Sequence, residues 1–123
     1  DQSGGAFEMY EVVTTGPATV DYHIHRRLDE TIYVVAGEIE FVVAGEKFLR
    51  PAGSVAFIPR GVHHGFSNLG PAGATVVIVF TPNGDQQQYF RAAETLLHAP
   101  TLDTAQLRDL QLRYDQELIP PGT

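Results

Sequence analysis

The chain has 123 residues, 43% hydrophobic and 19% charged, which fits one soluble globular domain over 1–123 with a real core. A net charge of −7 argues against nucleic acid or an anionic membrane as a partner, since either wants a basic patch. Cysteine is absent, which excludes disulfides, thiolate ligands and cysteine nucleophiles. No apolar run reaches bilayer length and no signal segment opens the chain, so the cytoplasm is the default location.

Asp1 to Ala6 is small and polar and reads as an arm. Phe7 to Thr14 is a β-branched and aromatic run closed by Gly16-Pro17, and predicts a strand and a turn. Ala18 to Arg26 predicts a second strand carrying His23 and His25, and Arg26 to Asp29 breaks it. Strand resumes over Glu30 to Ala36 and stops at Gly37. In Glu38 to Val43, Ile39, Phe41 and Val43 alternate with acidic residues, the period of a half-buried strand. Ala44-Gly45-Glu46 turns the chain into Lys47 to Arg50.

Pro51-Ala52-Gly53 and Pro59-Arg60-Gly61 bracket a short strand over Ser54 to Ile58, and Val62 to Leu69 follows with His64. Ala74 to Phe80 is continuously apolar, as in a strand covered on both faces. Strands this short and this often punctuated predict an antiparallel sandwich or barrel over about 7–82. Two helices are expected beyond Pro82. One spans about 85–98, with Asp85 and Gln88 as a cap pair; the other spans 103–118, with Asp103 and Gln106 as a cap pair and Leu107, Leu110, Tyr114 and Leu118 as its stripe. Pro120-Pro121 closes the second.

His23 and His25 leave one face of their strand roughly 7 Å apart, near enough for two imidazoles to share an ion. Glu30 has the wrong parity for that strand, so it must join from the next one, sharing a face with Ile32, Val34 and Ala36. Parity also puts His64, Phe66 and Asn68 on one face and His63 on the other, so His63 is not expected to ligate. Three histidines and one glutamate suit a divalent transition metal. Phe41, Phe57, Phe66 and Phe80 read as barrel core, some of them lining a pocket. Tyr10, Tyr22 and Tyr33 read as packing, Arg26 and Arg27 as a solvated break, and His98 as a helix-end cation.

Gly16 … His23-x-His25-x4-Glu30-x6-Gly37 followed by Gly53-x5-Pro59-x-Gly61-x2-His64-x3-Asn68 resembles the two motifs of the cupin superfamily. Fifteen residues separate Gly37 from Gly53, as in the shortest microbial cupins. The first motif departs once, with six residues rather than five between Gly16 and His23. The resemblance implies an all-β, jelly-roll barrel (a double-stranded β-helix) with the two C-terminal helices added to it. It implies one Fe, Mn, Ni, Co, Cu or Zn ion on His23, His25, Glu30 and His64, with two positions of an octahedral ion left open.

Asp29 to Glu38, Pro59 to Asn68 and Phe80 to Gly84 look like the small single-domain bacterial cupins related to quercetin 2,3-dioxygenase. That likeness implies a metal-dependent dioxygenase of a hydrophobic, aromatic or enolic small molecule, with O2 as co-substrate. Glu30 is then either a ligand alone or a ligand that also takes the substrate's proton. Two other readings stand beside it: a non-oxidative metal cupin (isomerase, cyclase, decarboxylase or lyase), and a ligand-binding cupin without turnover. A homodimer is expected, because edge strands and apolar outer faces of such barrels pair across a two-fold.

Overall fold

The computed structural model describes residues 5–82 and 84–118. Most of the expected N-terminal arm and the Pro120-Pro121 stop lie outside the described residues. Eight strands follow in order: β1 (Glu8–Thr14), β2 (Ala18–Ile24), β3 (Asp29–Ala36), β4 (Glu38–Val43), β5 (Glu46–Pro51), β6 (Val55–Ile58), β7 (His64–Asn68) and β8 (Ala74–Thr81). Helix α1 (Gln86–Leu97), helix α2 (Thr104–Arg113) and a two-residue strand β9 (Glu117–Leu118) complete the chain. One antiparallel sheet has the order β1-β8-β3-β6 and the other β5-β4-β7-β2-β9, the two faces of a jelly roll.

Alternation along each strand decides which side chains enter. Ile32 and Val34 of β3, Ile39 and Phe41 of β4, Phe66 of β7 and Val76, Ile78 and Phe80 of β8 fill the space between the sheets. Register with β6 sets Glu30 against Ile58 and Thr31 against Phe57, so Ile58 goes inward and Phe57 outward. Phe57 is 61% exposed and is not core, contrary to the sequence expectation. Tyr33 also lies on the outer surface. The shared face of β3 ends at Val34, because the register with β8 shifts before Ala36, and Ala36 is exposed. In β8 one face is buried and the other half-buried, so the strand is not covered equally on both sides.

Gly37 has φ +83, and a Cβ there would meet the Ala74 side chain at 2.8 Å, so the β3–β4 turn needs glycine. The second helix is shorter than its stripe suggests. It ends at Arg113, Tyr114 is its C-cap, and Asp115 takes φ 66, which turns the chain so that Glu117 and Leu118 pair with Ile24 and His23 of β2. Asp103 caps α2 as expected, its side chain accepting from the Gln106 N–H at 3.0 Å. At α1, Asp85 makes no side-chain cap; Glu8 of β1 supplies the acceptors, to the Gly84 N–H at 2.7 Å and the Gln86 N–H at 2.9 Å.

Candidate metal centre

β2 delivers His23 near its end and His25 just beyond it, and His23 faces His64 of β7 across a bulge in the β2–β7 ladder. Gly65 makes that approach close, since a Cβ there would lie 2.8 Å from the Val20 carbonyl oxygen. Glu30 comes in from the other sheet on β3, between the edge strand β6 and the central β8. The turn after His25 is tied to the turn before His64: the Gly61 N–H donates to the His25 carbonyl at 2.7 Å, and Asp29 accepts from the Arg60 N–H at 2.8 Å. The two sequence motifs are thereby locked together.

His23, His25, Glu30 and His64 converge, each no more than 3% exposed, with one ligand atom from each within 4.8 Å of all the others. In each ring Nδ1 meets a backbone carbonyl, which can only accept. His23 donates to Asp21 at 2.6 Å, His25 to Asp115 at 2.7 Å and His64 to Val62 at 3.0 Å. Each neutral imidazole therefore carries its proton on Nδ1 and turns the Nε2 lone pair inward. The Nε2 atoms of His23 and His25 are 3.1 Å apart, and Oε1 of Glu30 lies 3.0 Å from that of His25 and 2.9 Å from that of His64. Four acceptors thus face one point with no donor among them unless a cation or an extra proton is supplied. A divalent transition metal fits this borderline N3O donor set, and carbonyl-oriented imidazoles are the usual support of such ligands.

The electrostatics have the same origin. Burial would raise the Glu30 carboxyl, but in the metal-free cluster an extra proton on the Nε2 atoms that face it from His25 and His64 outweighs burial and holds the pKa at about 2. Burial and the neighbouring imidazoles push His23 down to about 4. For His25 burial acts downward, yet the bond to Glu30 and the carbonyl of Asp115 leave it raised.

His23, His25 and Glu30 lie on the wall of a cavity of about 540 Å3. Apolar side chains from both sheets, Val20, Phe66, Ile78 and Phe80 among them, make up most of the rest, and α1 closes it with Tyr89, Phe90 and Leu97. Thr19, Asp21, Glu94, His98, Gln111 and Gln116 are its other polar members. His98 thus caps α1 as expected and also faces the cavity. His63 stays outside the cluster and packs edge-on against Tyr22, with ring centroids 5.8 Å apart. Tyr10 packs between Phe80 and Phe90.

Residues 9–80 match the cupin domain family. The chain belongs to the cupins. No curated protein matches it. Among solved structures, KdgF from Halomonas sp. is 29% identical at a TM-score of 0.63, over 68% of this chain and 74% of that one. An RmlC-like cupin from Shewanella frigidimarina is 26% identical at 0.61, over 68% and 72%. A predicted oxalate decarboxylase from Thermotoga maritima, 23% identical at 0.61 over 67% and 71%, shares the fold.

Arg26 and Arg27 are exposed, as a solvated break requires, but the turn they form is anchored by Asp115, which the sequence reading missed. Its contribution to the cluster is a backbone carbonyl, which residue type does not announce. The signal available in the sequence was the residue type alone, an Asp inside the expected 103–118 helix that tolerates the left-handed conformation it in fact takes.

Proposed function

We propose that this cupin is a metal-dependent enzyme whose ligands are His23, His25, Glu30 and His64, and that it acts as a dioxygenase on an apolar aromatic or enolic small molecule. The observation that carries the reading is the convergence of four buried acceptors, three of them (His23, His25 and Glu30) on the wall of a largely apolar cavity. Such a cavity selects by shape and burial, with few polar groups to fix orientation. A bound divalent ion would supply Lewis acidity, lowering the pKa of a substrate hydroxyl. Glu30 is the carboxylate among the cluster residues on the cavity wall and is assigned to take that proton. With its pKa held at about 2 it is a weak base, so the transfer depends on an acidified donor. The Nδ1 bonds keep each imidazole from rotating, and the apolar walls exclude water from the reacting carbons.

Glu94 and His98, both on the cavity wall, favour a second reading as a non-oxidative isomerase, cyclase, decarboxylase or lyase, since such reactions need groups that move protons. An oxygen electrode separates the two. The metal-loaded protein, offered a panel of phenolic and enolic aromatics, is expected to consume O2 only with substrate. Turnover that continues without oxygen overturns the dioxygenase assignment. Binding without any product leaves a ligand-binding cupin.

We also propose that a second copy covers the outer face of the β1-β8-β3-β6 sheet. Met9, Val55 and Phe57 are each more than 60% exposed there, beside Tyr33 and Val35. Four strands of about five residues at about 4.8 Å spacing give roughly 300 Å2 in projection, and more in accessible area. The largest apolar patch of a monomer is of about this size and is often functional, which makes this face the place to look for a second copy. A cytoplasmic location belongs to the same proposal, and fractionation of the native cell tests it.

A further inference from the structure

His23 and His64 are each oriented by a carbonyl two residues earlier on the same segment, Asp21 and Val62. His25 differs: its Nδ1 donates to the carbonyl of Asp115, 90 positions further on. That carbonyl is held by an unusual set of contacts. Asp115 is 9% exposed and sits at φ 66, and its two carboxylate oxygens accept from the backbone N–H groups of Arg26 at 2.8 Å and Arg27 at 2.7 Å. One residue therefore clamps the turn after His25 with its side chain while its main chain fixes the His25 ring.

The segment around it is pinned on both sides. The Tyr114 carbonyl accepts from the fully buried Gln86 side chain at 2.7 Å, Gln116 donates to the same side chain at 2.8 Å, and Leu118 pairs with His23. Gln116 and Leu118 also form part of the cavity wall.

We propose that Asp115 is a positioning residue for His25, so that the full donor set forms only when the 114–118 segment is docked on β2. This rests on reading the four residues as ligands. A carboxylate that grips two N–H groups cannot rotate, and its own carbonyl is then aimed at one ring nitrogen. Groups that orient a ligating imidazole typically contribute about 10–100-fold in metal affinity.

The test is isothermal titration of the metal-free protein with Co2+, together with the visible absorption of the bound ion. Asp115→Ala is expected to weaken Co2+ binding by about tenfold or more. It should also alter the Co2+ spectrum while the circular dichroism of the metal-free protein is unchanged. Asp115→Asn tolerates the left-handed conformation but keeps one of the two acceptor oxygens and turns an NH2 toward the other backbone N–H, so its Co2+ affinity is expected to fall between those of Asp115→Ala and the parent. Arg50→Ala, which removes an exposed side chain on β5 far from the 114–118 segment, should bind Co2+ as the parent does. Should Asp115→Ala fail to fold, Asp115→Gly, which keeps the backbone conformation and loses the clamp, takes its place. Unchanged affinity and spectrum in the folded variant would overturn the proposal and leave Asp115 a purely structural cap. Failure of the parent protein to bind Co2+ would instead overturn the ligand assignment itself.

Discussion

Replacing Glu30 by Gln removes the one negative charge from the cluster while keeping its size. In the metal-free protein the carboxyl is held at about 2 against an ordinary 4.5, because His25 and His64 both bond to it. That depression corresponds to about 3 kcal/mol of interaction. The group's folded pKa is the lower one, so its contribution is present above the unfolded value and is lost as pH falls through the folded value. The window therefore runs from about 4.5 down to about 2. At pH 5 the parent should exceed Glu30→Gln in unfolding free energy by about 3 kcal/mol, and at pH 3 about 2 kcal/mol of that margin should be gone. Glu30 and its imidazole partners titrate as one group, so the margin belongs to the cluster rather than to one bond. Urea unfolding of chelator-treated protein at the two pH values reads it directly. A margin that is the same at pH 5 and pH 3, or absent at both, would refute the reasoning.

Metal binding should weaken on acidification, since a proton competes for the Nε2 of His25, which holds it more tightly than usual. Equilibrium dialysis against Ni2+ from pH 8 to pH 6 is expected to show a steady fall, and a flat profile would exclude imidazole ligation. Gly65→Ala pushes a Cβ to 2.8 Å from the Val20 carbonyl oxygen and 3.2 Å from the Tyr22 nitrogen. It should cost about 1–3 kcal/mol in thermal or urea unfolding; an unchanged melting temperature would show that β2 and β7 can separate freely there. Phe57→Glu places a charge on the exposed apolar face and should give a folded monomer in light scattering. A dimer of unchanged affinity would move the interface elsewhere.

The strands were legible because glycine and proline punctuate them, and because alternation in Glu38 to Val43 names its own buried face. The candidate cluster was legible for a related reason: two-residue spacing and parity allow only certain side chains to meet, and His23, His25, Glu30 and His64 do meet. Three features were not. Phe57 is apolar enough for a core, but pairing with β3 decides its direction, and local sequence does not contain that register. Tyr114 and Leu118 continue a helical stripe, yet Asp115 breaks the helix and β2 recruits the next residues as a strand. Glu8 serves as the acceptor at the start of α1 from 78 positions away, contact that no local cap pattern encodes.

The central claim is that four side chains from three strands and one strand end hold a single ion. Elemental analysis of protein purified without chelator, compared with His23→Ala, His25→Ala, His64→Ala and His63→Ala, tests it most directly. One transition metal per chain in the parent and in His63→Ala, with little in the other three, is the expected result. Parental metal content in His64→Ala or His25→Ala would contradict it.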